Sequence, residues 1–310
     1  MDVVSDAIAA VRVGQPSANR VRVTGRWCTR LPSYEGAGFR VVLAGSCWLL
    51  PDEGPAFALR AGDAVRLPHG AGHLLADAPV DAARAAAAVP FDRWLETHEL
   101  PLVAPDTAGG PPAVELMCGK YRLDRSLAHP LLAELPDVVH LPSGDGRHPE
   151  LRAAIDLLGR EAGAGQPGAG VAVPGLLDLL LVYLVRAWMA DGATTGTARW
   201  PAALDDPVVA TALRLLHGDP AHPWTAAHLA ARAGVSRATL ARRFTALVGR
   251  PPMAYLSWWR MNRAAALLRE SRDPLETIAR RVGYGSPYAL SHAFHRTFGV
   301  TPGRYRSGAA

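Results

Sequence analysis

Leu229-Ala-Ala-Arg-Ala-Gly-Val-Ser236 and Ile278-Ala-Arg-Arg-Val-Gly-Tyr-Gly-Ser286 decide how the second half of this chain is read. In the first, Ala230 stands four residues before Gly234. In the second, Ala279 stands four before Gly283. A tight helix–turn–helix needs both types: Ala lets the second helix approach the first, and Gly takes the left-handed turn. Ser236 and Ser286 then stand where an N-cap accepts the orphan amides of the next helix. Beyond them, Leu240 and Phe244 repeat as Leu290 and Phe294, two inner-face pairs at i, i+4. The copies lie in register 49 to 50 residues apart, the second with one extra turn residue. One Ala-x-x-x-Gly arises by chance. Two in register, each with a cap and an inner face, predict tandem helix-turn-helix units.

Pro252 to Arg269 reads as one long helix opened by proline. About 16 residues at ~1.5 Å each span ~24 Å. With its flanking helices it is long enough to hold two reading helices near one DNA turn, ~34 Å, apart.

Charge follows the same division. The chain has 310 residues and a net charge of +5, with 33 basic and 28 acidic residues. Residues 201–310 carry 15 arginines against six acids, a net of +9; the first 200 carry 18 basic and 22 acidic residues, a net of −4. Lys120 is the one lysine. A composition bias toward arginine would act on both halves, so the split marks a nucleic-acid-binding unit beside one that is not.

The first half has another texture. From Val21 to about Val89, short apolar runs alternate with Gly, Pro and Asp clusters, the spacing of an all-β sandwich or barrel. Leu116–Leu123 fits a further strand, and residues 1–13 a short amphipathic helix. Glu150–Glu161 and Gly175–Ala190 return to helical periods, and Ala193–Ala198 reads as a linker. Gly175–Ala190 carries Asp178 and Arg186 and follows Pro174, so it reads as a packed helix rather than a membrane span. Its Leu176, Leu179, Leu180, Tyr183 and Leu184 suit packing on its own barrel or a homodimer interface. The first residues lack the pattern of a signal peptide, and three cysteines without a CxxC suit neither a disulfide framework nor a zinc ribbon. A cytoplasmic protein without a membrane segment is expected.

The C-terminal pattern resembles the AraC/XylS family of bacterial transcription regulators. The carrying residues are Tyr255-Leu256, Trp259-Arg260-Met261, Ala264, Leu267-Leu268, Ile278-Ala279, Val282 to Ser286, Phe294, Phe298 to Gly303 and Tyr305-Arg306. The resemblance implies that base edges are read from the starts of the third and sixth helices of the unit. Those positions hold Arg237, Ala238, Ala241 and Arg242, then Ser286, Pro287, Tyr288, Ser291 and His292. Arg242 suits a bidentate guanine contact, whereas Ala238 and Ala241 can only touch a thymine methyl. Arg243, Arg263, His295 and Arg296 suit phosphates, which position rather than specify.

In the first half, Gly62-x5-Pro68-x-Gly70-x2-His73 resembles the second cupin motif, a hairpin of a small β-barrel. The stretches Met1 to Asp6, Gly45 to Leu49, Cys118-Gly119 and His129 to Pro136 extend that likeness to the cupin-type domain of one AraC subgroup, some members of which sense reactive chlorine through cysteine. The resemblance implies redox roles for Cys28, Cys47 and Cys118, with Cys118 pairing with Cys28 or Cys47 on oxidation; the alternative is that they are small buried apolar side chains. A metal site would have to come from Cys47, His69 and His73, and the stretch 20–60 has no histidine to support it.

The expected fold is therefore α+β and multidomain: a cupin-like β-barrel with accessory helices over 1–191, a linker at 192–204, and an all-α tandem helix-turn-helix domain over 205–310. The expected function is sequence-specific regulation at double-stranded promoter DNA, with a small-molecule or oxidant effector, RNA polymerase as partner, no cofactor and no catalysis. The competing readings are a metal-dependent cupin enzyme fused to a DNA-binding domain, and a DNA binder without effector response.

Overall fold

The computed structural model describes residues 2–100, 114–123, 129–164, 166–195 and 199–308. The chain forms two compact units. One comprises Arg12–Asp124 and Leu135–Trp188; the other comprises Met1–Val11, Arg125–Glu134 and Met189–Ala310.

The first unit is built on a ten-stranded sheet. Its strands are β1 (Arg12–Val23), β2 (Cys28–Leu31), β3 (Ala37–Pro51), β4 (Phe57–Arg60), β5 (Ala64–Leu67), β6 (His73–Ala76), β7 (Val89–Pro90), β8 (Glu99–Leu100), β9 (Val114–Leu123) and β10 (Val139–Leu141). The main path runs β7-β2-β6-β3-β9-β1-β8, with β4 and β5 also on β3, and β10 on β5. The 15-residue β3 makes the sheet curl. Its first part, Ala37 to Gly45, pairs with β9 and, up to Val41, β5; its second part, Ser46 to Pro51, pairs with β4 and β6. A bulge between Val42 and Ala44 re-aims the strand between these sets of partners. The result is a curled half-barrel that ends on the short strands β7 and β8, as expected of a cupin. Inward side chains such as Val21, Val42, Leu49, Leu67, Leu75 and Leu116 are fully buried in one apolar cluster.

The cupin-like hairpin is held by Asp63. Its carboxylate accepts the amides of Arg60 (3.0 Å) and Ser143 (2.8 Å). The helices of this unit are α2 (Ala82–Ala86), α3 (Phe91–His98), α5 (Pro149–Ala164) and most of α6 (Ala169–Thr195). Trp94 of α3 stacks near Trp27 and His98. One face of α6 (Val173, Leu177, Leu180, Leu184, Trp188) is buried, while Val171 and Leu179 point outward. Its Ala169–Gly192 stretch is long and apolar enough to cross a membrane, but a packed core helix has the same composition.

The second unit is helical: α1 (Val3–Val11), α4 (Pro130–Ala133), α7 (Arg199–Asp205), α8 (Pro207–Gly218), α9 (Ala226–Arg232), α10 (Arg237–Val248), α11 (Pro252–Glu270), α12 (Leu275–Arg281), α13 (Pro287–Phe298) and α14 (Pro302–Arg306). The stretch read as linker is partly ordered helix. α6 runs on to Thr195, residues 196–198 lie outside the described residues, and α7 buries Trp200, Pro201 and Ala203. The Glu134 carboxylate accepts the first amides of α7, from Arg199 (2.8 Å) and Trp200 (2.9 Å).

Candidate nucleic-acid interface

Each helix-turn-helix forms where the repeat placed it. Thr239 N–H donates to Ser236 Oγ (3.1 Å) and Ala289 N–H to Ser286 Oγ (3.1 Å), so both serines cap the second helix of their unit. Gly234 and Gly283 hold φ of +69° and +80°, the left-handed turn that glycine adopts without strain. At Gly283 space matters as well: a Cβ there would lie 2.9 Å from the Ala221 backbone. Leu240, Phe244, Leu290 and Phe294 are fully buried, which fixes the opposite faces of α10 and α13 outward. α11 joins the two units with 19 residues, about 28 Å of helix.

On the outward face of α10, Arg237, Ala238 and Arg242 are exposed and Ala241 is half-buried. On α13, Tyr288 is 81% exposed, His292, His295 and Arg296 are exposed, and Ser286, Pro287 and Ser291 are half-buried. Among the described residues, Arg237, Arg242 and Arg296 have no acidic partner, whereas Arg281 pairs with Asp273 (2.8 Å). Arg243 is committed elsewhere: its Nε lies 3.0 Å from Asp206 Oδ2. Burial would raise the Asp206 pKa, but the Val209 and Val208 amides and Arg243 outweigh it and hold the carboxyl below its ordinary value. Arg263 stacks its guanidinium over Trp259, 5.9 Å from the ring centre. Of the four residues expected to suit phosphates, His295 and Arg296 thus remain exposed.

Sequence reasoning missed a polar chain behind this surface, in the same unit. Asp6 of α1, His217 of α8, Tyr255 of α11 and His129, the N-cap of α4, are all buried. His217 Nδ1 lies 2.9 Å from Asp6 Oδ2, and its Nε2 lies 2.7 Å from Tyr255 Oη; His129 Nε2 lies 2.9 Å from the same oxygen. One set of protons satisfies every link. Leu131 N–H donates to His129 Nδ1 (3.1 Å), so His129 Nε2 carries the proton and donates to Tyr255 Oη. The tyrosine hydroxyl donates on to His217 Nε2, and His217 Nδ1–H donates to the Asp6 carboxylate. Burial, with His217 and Arg250 adding to it, keeps His129 well below its ordinary pKa and hence neutral, as this arrangement requires. The available signal was His217 itself, a polar residue continuing the apolar face of α8.

Residues 2–190 match the cupin family, and residues 229–308 match a helix-turn-helix domain family. A protein of Streptomyces antibioticus named as an AraC-like transcription regulator is 35% identical over 307 residues, 99% of this chain and 98% of that protein. The chain belongs to the AraC-like family of transcription regulators. This AraC-like regulator is also similar to the Escherichia coli RCS-specific transcriptional activator RclR, at 31% identity over 62% of this chain and 67% of that protein. Among solved structures, the DNA-binding domain of AdpA in complex with a target DNA is 35% identical, covering 33% of this chain and 92% of that one, with a TM-score of 0.32. The regulator is a DNA-binding protein with a cupin domain, and not an enzyme.

The remaining expected site residues of this AraC-like regulator lie in the cupin unit. Cys47 and Cys118 are buried in its apolar cluster, and Cys28 is half-buried on β2. Burial raises all three thiols, Cys47 to about 12 and Cys118 against the opposing pull of Arg40. The metal candidates do not converge with open valences. His69 Nε2 meets the Leu135 carbonyl (2.8 Å), and both ring nitrogens of His73 are engaged, by Ala71 O (2.9 Å) and Arg40 Nε (3.2 Å).

Proposed function

We propose that this regulator reads promoter DNA in a sequence-specific way, with α10 and α13 entering successive major grooves. The observation that carries this is a pair of serine-capped helices whose outward faces hold Arg237, Arg242, Tyr288, His292, His295 and Arg296, the arginines among them without acidic partners among the described residues. Arg242 supplies a bidentate base contact, and His295 and Arg296 hold phosphates. Residues 205–310 act as the DNA-binding domain, and residues 1–191 as the effector domain. The regulator works in the cytoplasm on RNA polymerase, as a homodimer.

A small-molecule effector in the cupin unit is the reading we favour, because all three thiols rest in the protonated, less reactive form. An oxidant remains the second reading. It is favoured by Cys47 and Cys118 sharing one core cluster and by likeness to a relative named as RCS-specific. Selection of binding sites from random DNA, repeated with reduced and hypochlorous-acid-treated protein, tests both. A defined site supports DNA reading, and binding without sequence preference refutes it. A Cys47–Cys118 or Cys28–Cys118 crosslink in the mass spectrum, with altered affinity, would turn the effector reading toward oxidants; unchanged affinity and free thiols would remove that reading.

A further inference from the structure

The cupin unit contains a cavity of about 250 Å³ whose chemistry the DNA-binding role does not use. At its wall Arg40 is only 3% exposed. Arg40 Nε donates to His73 Nε2 (3.2 Å), and its Nη1 donates to the carbonyls of Phe39 (2.7 Å) and Gly119 (3.3 Å). None of these partners is an anion. Because His73 Nε2 accepts from Arg40, its Nδ1 carries the proton and donates to Ala71 O, so the imidazole is neutral. Burial, followed by the adjacent Arg40 charge, holds His73 down at about 3. Among the described residues no carboxylate pairs with Arg40, and its Nη2 has no protein partner. A buried guanidinium without a counter-charge is costly, and an anion bound beside it would offset that cost.

A second group points the same way. Tyr34 Oη is buried and, among the described residues, has no hydrogen-bond partner. A Cβ placed on Gly38 would lie 2.5 Å from that oxygen and 3.4 Å from Arg40 Nη1, so the hydroxyl and the guanidinium converge over a backbone that glycine keeps bare. Lys120 adds an exposed cation to the lining, against the single carboxylate of Asp92, which is exposed. The rest of the wall includes Leu31, Phe91 and Leu95, so an occupant needs an apolar body as well as an anionic head. The volume lies below the roughly 300–1,000 Å³ of drug-sized sites, which limits that body to a small one.

We propose that this cavity binds a small organic monocarboxylate, its carboxylate held by Arg40, Tyr34 and Lys120 and its apolar part by Leu31, Phe91 and Leu95. This deepens the effector reading above and rests on it for the regulatory consequence alone. An inorganic anion would leave the apolar wall bare, and a neutral ligand would leave Arg40 uncompensated.

The test is calorimetric titration of the full chain, kept reduced, with benzoate and octanoate. Benzamide, octanamide and inorganic phosphate at equal ionic strength serve as comparisons, and DNA binding is measured on the same preparation. At least one carboxylate is expected to bind tenfold or more tightly than its amide, about 1.4 kcal/mol. Arg40→Gln should abolish that preference, Arg40→Lys should keep part of it, and Tyr34→Phe should weaken it severalfold. If Arg40→Gln does not fold, Tyr34→Phe and the surface change Lys120→Gln carry the test by the same measure. Neither carboxylate binding better than its amide, phosphate binding as well as the carboxylates, or variants that bind like the parent chain would overturn the proposal. Any of these with DNA binding intact refutes the pocket alone, whereas loss of DNA binding by the parent chain refutes the function on which it depends.

Discussion

Replacing Tyr255 with Phe removes one oxygen from the middle of the chain Asp6–His217–Tyr255–His129 and changes little else. The ring stays, so its packing against Phe244 and Trp258 is kept. Two buried ring nitrogens, His217 Nε2 and His129 Nε2, lose their partner, and neither side chain is exposed to water. A buried polar atom left unsatisfied costs about 1–3 kcal/mol, so the pair should cost about 3 kcal/mol after local relaxation. For a unit of this size, at roughly 2–4 °C per kcal/mol, the transition of the helical unit should fall by about 10 °C. Scanning calorimetry of the full chain measures this directly. Tyr288→Phe, which removes the hydroxyl of an 81% exposed residue, is the matched control and should leave the transition where it is. A Tyr255→Phe shift no larger than that of the control would refute the hydrogen-bonded chain. Asp6→Asn should show part of the same loss, although the residue lies in the first helix of the chain.

Three further outcomes follow from the geometry. Arg242→Ala should cost about 1–3 kcal/mol of DNA affinity and relax preference at one base step, read by binding to single-substituted sites; equal loss on every sequence would make Arg242 a phosphate contact. Gly283→Ala should destabilise by more than about 2 kcal/mol, since it adds an overlap with Ala221 to the left-handed strain, whereas Gly234→Ala carries only the strain, about 1–2 kcal/mol; urea unfolding midpoints compare them. Acid should weaken the cupin unit through His73. Its folded pKa of about 3 lies below the unfolded value of 6.5, so the contribution is intact above pH 6.5 and is lost as pH falls, when the unfolded ring alone takes a proton. By pH 5 the loss is about 2 kcal/mol, and His73→Gln should flatten that slope; an unchanged slope would mean the ring is protonated in the fold.

The helix-turn-helix repeat was legible because local chemistry dictates it. Ala230, Gly234 and Ser236 each have a steric or capping reason to stand where they do, and their second copies at Ala279, Gly283 and Ser286 repeat those reasons. The half-barrel was legible from alternation and from the Gly62 to His73 hairpin, but not its bend, because nothing in the composition of β3 announces a bulge between Val42 and Ala44. What escaped was long-range. Asp6 and His129 meet His217 and Tyr255 across separations of more than a hundred residues, and hydropathy patterns carry no pairing information. Arg40 is a long-range case too: on the first part of β3 it donates to His73 of β6, which pairs with the second part of that strand, so the contact depends on the bend. Arg243 shows the converse. Its spacing on α10 suited a phosphate, but the N-cap of α8, Asp206, lies within reach and claims it.

The proposed function requires two reading helices of one chain to act together on DNA. Hydroxyl-radical footprinting of the full chain on a selected site tests it most directly. Within the half-site of each chain, two protected segments about one helical turn apart on one face of the duplex are predicted, with Arg242→Ala weakening the one under α10 and His292→Ala the one under α13. A single protected segment, or two segments that weaken together in both variants, would contradict it.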